Sequence, residues 1–318
     1  MNVEEILRRT RLVLDDTVQP YLWDDFELIS YLNDAQDFLC AEAHLIVDST
    51  TRDVCRIGLV SGQPKYQFHE KIVDIKRVKL NSTKRRLTRV TQQVLDFHVQ
   101  GWEDENGTPR FFLDDADEGY LQLYKTPSFA ETSKAISTIT QANPCKVTTS
   151  SEHGLSTGDA VRISGVGGMT ELNDKFFIVT KVDDTNVTLD VDSTNYTTYT
   201  SGGNIIKSDM LLMTVARLPL TQLTIDDMNV EPEINARHHS HLIDGILGLA
   251  FGKEDVETYD KEKSLRHLRF FYDYVSEQKR ANLLRMIDSR KVRKLMKNKF
   301  DIGSIMTPQA SGVATQQG

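Results

Sequence analysis

Three histidines within four positions, His238-His239-Ser240-His241, come nearest in type and spacing to a metal centre. On a helix His238 and His241 share a face at i, i+3, which suits one shared ion and hydrolytic chemistry. However, no HExxH motif surrounds them, and the nearby carboxylates are Asp244 and Glu233. The plainer reading, structural or interface histidines on a helix, is preferred. Gly165-Val166-Gly167-Gly168 has the composition of a phosphate loop, yet no Gly-Lys-Ser/Thr follows, and Glu171 and Asp174 would repel a phosphate. It reads as a β-turn between strands. Cys55 sits near Arg52 and Arg56, which would lower a thiol pKa, but no catalytic partner is spaced for it, so it reads as a half-buried strand residue. The acid-rich Asp114-Asp115-Ala116-Asp117-Glu118 and Asp183-Asp184 lack the spacing and bidentate Glu of a calcium loop. The chain is therefore read as a non-enzyme with no catalytic, cofactor-binding or metal-binding residue.

The strongest remaining signal is charge. Between Lys279 and Lys299 lie nine basic residues, Lys279, Arg280, Arg285, Arg290, Lys291, Arg293, Lys294, Lys297 and Lys299, against one acid, Asp288. Leu283, Leu284, Ile287, Val292, Leu295 and Met296 are interleaved at helical spacing. This predicts a helix with one docking face and one charged face, meeting DNA phosphates or an acidic protein partner. The bland alternative is a solvated helix face.

Several elements must position these residues. A stripe of Val3, Ile6, Leu7, Thr10 and Leu14 predicts a first helix closed by Pro20. Asp24 is placed to cap a second helix, with Glu27 completing a capping box and Leu28, Leu32, Ala35, Leu39 and Ile46 lining it to about Val47. Alternation from Cys55 to Tyr124 predicts a compact sheet, with one short helix around Val94, Phe97 and Trp102. Residues 131–207 hold seven of the eighteen glycines, with short apolar runs separated by turn clusters. That is the pattern of a small all-β barrel or sandwich. Met210–Arg217 reads as a strand paired with Tyr120–Tyr124, a hairpin whose turn received the β segment as an insertion. Pro232-Glu233 opens a helix carrying His238, Leu242, Gly245 and Leu249, where Gly245 and Gly248 serve close packing. A longer stripe, Tyr259, Leu265, Leu268, Phe271, Tyr272 and Val275, runs on towards the basic stretch.

The fold class expected is α+β: a helical core, made of a long N-terminal hairpin and C-terminal helices, with a small antiparallel sheet and an inserted all-β barrel. The domains read as 1–130 with 208–300, an inserted module at 131–207, and a flexible tail at 301–318. With 318 residues the chain has length for about two domains. A net charge of −8 excludes a basic nucleic-acid binder as a whole-chain description. Three cysteines without metal or CxxC spacing exclude a disulfide scaffold and a zinc ribbon. No apolar run approaches a bilayer span, and the acidic start Met1-Asn2-Val3-Glu4-Glu5 predicts neither membrane insertion nor Sec export.

Two resemblances join this reading. The segment from Leu22-Trp23-Asp24-Asp25-Phe26 through Leu28, Leu32-Asn33-Asp34-Ala35-Gln36, with Ala216-Arg217-Leu218-Pro219-Leu220 and Pro232-Glu233-Ile234, resembles head-to-tail connector (adaptor) proteins of tailed bacteriophages. The likeness continues through His238, Leu242, Ile243, Asp244 and Asp260 to Lys263. It implies a structural virion protein in the neck, made in the host cytoplasm and assembled as a homo-oligomeric ring, usually of twelve. Such a ring lies below the portal protein, extends the channel for genomic DNA without sequence specificity, and gives tail or tail-fibre and nozzle proteins their platform. The basic stretch would then meet portal or DNA. Within 131–207, His153-Gly154-Leu155-Ser156-Thr157-Gly158-Asp159, Val161 to Asn173 and Tyr199-Thr200-Ser201-Gly202-Gly203 resemble a β-barrel module. That module is the first catalytic cysteine half-domain of ubiquitin-activating enzymes, found also in phage virion proteins. This implies a fold and a virion setting without ubiquitin chemistry, since no base lies beside Cys145. A rival function is a module that docks a tail fibre, or binds a glycan with Tyr196 and Tyr199 as its few stacking platforms.

Overall fold

The computed structural model describes residues 1–299, with side chains described to Arg285. The helices are α1 (Val3–Leu14), α2 (Asp25–Ala43), α3 (Arg52–Cys55), α4 (Gln92–His98), α5 (His239–Gly252) and α6 (Lys261–Lys299). The strands begin with β1 (Ile46–Asp48), β2 (Arg56–Leu59), β3 (Lys65–Gln67), β4 (Ile72–Leu80), β5 (Thr88–Arg89), β6 (Asn106–Gly107), β7 (Phe111–Leu113), β8 (Tyr120–Tyr124) and β9 (Thr126–Pro127). They continue as β10 (Ser133–Ile139), β11 (Cys145–Thr149), β12 (Ala160–Gly167), β13 (Phe176–Lys181), β14 (Asn186–Leu189) and β15 (Ser201–Arg217). The chain divides into a helical unit, residues 1–44 with those from 222 onward, and a β unit, 45–221.

In the helical unit α1 begins where Asn2 accepts from the Glu5 amide at 3.0 Å and α2 where Asp24 accepts from the Glu27 amide at 2.7 Å. The expected capping box is half made, because the Glu27 carboxylate turns to Tyr31 and Lys253 instead. α2 stops at Ala43, where His44 takes a left-handed conformation, so Ile46 falls on β1 instead of extending the helix. Buried Arg11 joins the start of α2 to the turn before it, reaching Asp16 at 2.7 Å and Asp25 at 2.6 Å. α5 starts at His239, later than Pro232 would place it, behind a short helical turn capped by Asn235. The buried stripe of α6 runs through Ser264, His267, Phe271 and Val275, whereas Tyr259, Leu265 and Tyr272 stay exposed.

The β unit overturns the expected fold class. The dominant feature among the described residues is a nine-stranded sheet, not a helical core with a small sheet beside it. Its spine is β15, 17 residues long, which passes without a break from the segment read as inserted into the sheet beyond it. The N-terminal half of β15 pairs with β12 on one side and β10 on the other. Since β10–β11, β11–β14, β14–β13 and β13–β12 are also paired, six strands close into a barrel. The barrel has its own core around Val147, Val161, Ile163, Phe177, Val179, Leu189 and Ile205. The C-terminal half of β15 pairs with β4, β2 and β1 over a second core that includes Val78, Leu80, Leu211, Met213 and Val215.

Tyr120–Tyr124, expected beside Met210–Arg217, instead pairs with β3 and β7. The reason is local closure: the acidic turn after Leu113 returns β8 directly onto β7, while Met210–Arg217 is claimed by three other strands. The expected helix face around Val94 and Phe97 is also reversed, since α4 buries Leu95 and leaves Phe97 exposed.

Candidate interaction site

The three histidines do not converge. Arg237 Nε donates to His238 Nε2 at 3.0 Å, so the neutral ring carries its proton on Nδ1, 2.8 Å from the Tyr274 oxygen. His239 Nε2 lies 2.9 Å from the Ile234 carbonyl, and His241 stacks on the Tyr274 ring at 3.4 Å. Burial, then the Arg237 charge, pushes the His238 pKa down to about 4. Among the described residues no group of three His, Cys, Asp or Glu is placed to hold a metal ion.

Gly165, Val166 and Gly167, read as a β-turn, lie on strand β12, and only Gly168 lies beyond it, in a bend at positive φ. Val166 and Gly167 pair with Gly202 and Ser201 of β15, and a Cβ on Gly168 would fall 2.2 Å from the Thr198 carbonyl. These glycines let two backbones approach each other. Cys55 is buried at the end of α3, and burial followed by the nearby Asp48 raises its thiol to about 11, away from reactivity. Cys145 is buried too, its thiol raised by desolvation. Tyr196 and Tyr199 pack half-buried against the barrel core, so neither stands free as a stacking platform.

A cleft of about 640 Å³ opens between the barrel and the sheet, lined by Arg52, Arg56, Lys175, Phe176, Asp190 and Tyr196 among others. Three of its charges are mutually engaged: Asp190 is shared by Arg52, at 3.4 Å, and Arg56. The Phe176 ring lies so close over Gly58 that a Cβ there would fall 2.0 Å from it. The cleft is thus a seam fixing the barrel to β2.

Of the basic stretch at the chain end, Lys279 is tied to α2 by a 2.8 Å ion pair with Glu42, whose carboxyl it holds below the ordinary value. Asn282 donates to the Ala43 carbonyl at 2.6 Å. Arg280 and Arg285 are exposed. α6 continues to Lys299, but the side chains of Arg290, Lys291, Arg293, Lys294, Lys297 and Lys299 lie outside the described residues, as does the whole 301–318 tail.

Sequence comparison decides the class of the molecule. Residues 1–164 match the SU10 adaptor protein family, over half of the chain. The chain belongs to the SU10 adaptor protein family. The adaptor is accordingly a structural protein of a phage virion that works by contact with other virion proteins. Residues 142–208 of the adaptor match the ubiquitin-activating enzyme E1 FCCH domain, the barrel described above. No curated protein matches the adaptor. Among the described residues none of its helices is long and apolar enough to cross a membrane.

What the reading of motifs missed is a second basic segment. From Lys76 to Arg89 there are seven basic residues and no acid. Val78, Leu80 and Leu87 break the run visually, but a charge count over the same window exposes it.

Proposed function

We propose that this adaptor assembles as a head-to-tail ring, of twelve copies by resemblance, beneath the capsid portal, extending the DNA channel and providing the platform for the tail. The observation that carries the reading is the family match over residues 1–164. A head-to-tail ring contact uses two different surfaces of one subunit. The helical unit offers two apolar hollows on separate faces of α2. One of about 210 Å³ lies around Phe26, Ile29, Asn33, Leu223 and Ile225. The other, about 140 Å³, lies around Ala35, Phe38, Leu268, Phe271 and Tyr272.

In this reading residues 1–130 and 208–300 form the ring-building body and 131–207 an inserted module facing tail proteins. The basic end of α6, from Lys279 to Lys299, docks on the portal. The continuity of β15 matters for testing the module, because a deletion of the barrel must keep Ser208–Arg217 as a strand. The test is to mix the purified adaptor with its cognate portal and examine it by electron microscopy and sedimentation. A ring on the portal is expected, and a persistent monomer overturns the proposal.

A further inference from the structure

The end of β4 and the segment 85–87, which folds back on it through a tight turn ahead of β5, form a hairpin whose buried face, Val78, Leu80 and Leu87, belongs to the sheet core. Alternation puts Arg77 and Lys79 on the opposite face, about 6.6 Å apart along β4. Lys79 pairs directly across the hairpin with Arg86. It is also level with Leu212 of β15, whose other neighbour is Arg56 of β2, but Arg56 is held by Asp190 and adds no free charge. Arg85 and Arg110 are exposed nearby, the Arg110 carbonyl accepting from the Thr88 amide at 3.0 Å.

Lys76 and Arg89, at the ends of the run, are spent on Asp74 and Asp114, and Lys84 donates to Asn81 at 2.9 Å. Among the described residues, Arg77, Lys79, Arg85, Arg86 and Arg110 have no carboxylate within ion-pair distance. Like charges directly opposite on a sheet are destabilising. Here that repulsion is left without a counter-charge from the chain itself.

We propose that this hairpin is a contact site for the phosphate backbone of duplex DNA, independent of the basic end of α6. Two features favour phosphate over an acidic protein surface. Protein interfaces are built around apolar and aromatic anchors, whereas the groups exposed beside these cations are the hydroxyls of Thr83 and Thr88, which bind phosphate oxygens, the Ser82 hydroxyl being held by Asp209. Arginines also predominate, and their planar forks take phosphate oxygens two at a time. The choice of DNA as the polyanion rests on the proposed channel function, and the site would be blind to base sequence.

The test compares the full chain with an Arg77→Gln/Lys79→Gln/Arg86→Gln variant, titrating a mixed-sequence duplex and, separately, polyglutamate over a range of salt. Abolishing one phosphate interaction should take about 0.9 off the slope of log affinity against log salt, so the variant should be shallower by about 2 to 3 and bind roughly 100-fold more weakly at about 0.1 M salt. Its melting temperature should be unchanged or higher, because the Lys79–Arg86 opposition is gone. Unaltered duplex binding overturns the proposal. So does a loss confined to polyglutamate, which would make the hairpin a protein-docking face. Sedimentation of the same variant with portal reports ring assembly separately, so failure of the ring reading and failure of the phosphate site are distinguishable.

Discussion

Asp48 is nearly buried, and five donors surround it: the Thr50 and Thr51 amides, both threonine hydroxyls, and Arg217 Nε at 2.8 Å. Burial alone would raise its pKa, but the hydrogen bonds from Thr51, Thr50 and Arg217 overcome that and hold the carboxyl far below the ordinary carboxylate range. Because the folded value is depressed, its stabilisation is complete above the unfolded value of about 4 and is lost as pH falls below it. Asp48→Asn should cost about 1.5–3 kcal/mol in denaturant unfolding at neutral pH, since the carboxylate that accepts from both threonines and from Arg217 becomes a neutral amide, and should flatten the acid limb of the stability curve. His238 acts at higher pH. Its pKa, lowered to about 4 from 6.5, means that protonation favours the unfolded chain as pH falls through that window. His238→Gln should therefore weaken the pH dependence of the melting temperature between pH 6.5 and 4. Neither role was legible from spacing. The histidines stood out as a motif, but what decides their chemistry is Arg237 and Tyr274, one brought by the adjacent turn and the other by a different helix. The Asp24 cap was legible because it depends on residues three positions apart.

At the scale of elements, close backbone approach defines two junctions. On α5, a Cβ on Gly248 would meet Leu268 Cδ2 at 2.7 Å, and one on Gly245 would meet the Ala35 Cβ at 2.8 Å. Gly248→Val should force α6 away from α5 and cost about 1–3 kcal/mol or more in thermal unfolding. At the seam of the β unit, Gly58→Ala should destabilise by about the same 1–3 kcal/mol. Adding Phe176→Ala should recover part of that cost, a coupling readable in a double-mutant cycle. Additive effects would mean that the ring does not police that position. The helical glycines were legible because they repeat on one face of a periodic stripe. Strand pairing was less so. Alternation located Met210–Arg217 and Tyr120–Tyr124 as strands, yet it carries no information on which edge each one finds. The composition of 131–207 announced a separate β structure, but the continuity of β15 through its end is a property of pairing on both sides, invisible in residue types. The same blindness to faces misplaced Phe97, which shares a helical face with Val94 at i, i+3; the pattern groups the two correctly but does not say that this face is the exposed one and that of Leu95 the buried one.

For the whole molecule, a net charge of −8 averages over two basic segments, 76–89 and 279–299, set in a strongly acidic remainder. The two should respond to salt in different assays. If the α6 end docks the adaptor to an acidic portal surface through exposed charges, that contact is screened as the Debye length falls from about 8 Å at physiological salt to about 3 Å at 1 M. A ring held by the apolar hollows around Phe26 and Phe38 is not screened, because burial of apolar surface does not weaken with ionic strength. Raising salt to about 1 M should therefore release the adaptor from portal while leaving adaptor–adaptor contacts in place. Sedimentation should then show free adaptor oligomers rather than monomers. Substituting Lys279, Arg280 and Arg285 by Gln should move the release to lower salt, with only a small part of the effect from Lys279, whose charge is already engaged by Glu42. If the portal complex survives about 1 M salt intact, the basic end is not the principal attachment, and the apolar hollows of the helical unit would have to face portal instead of a neighbouring subunit.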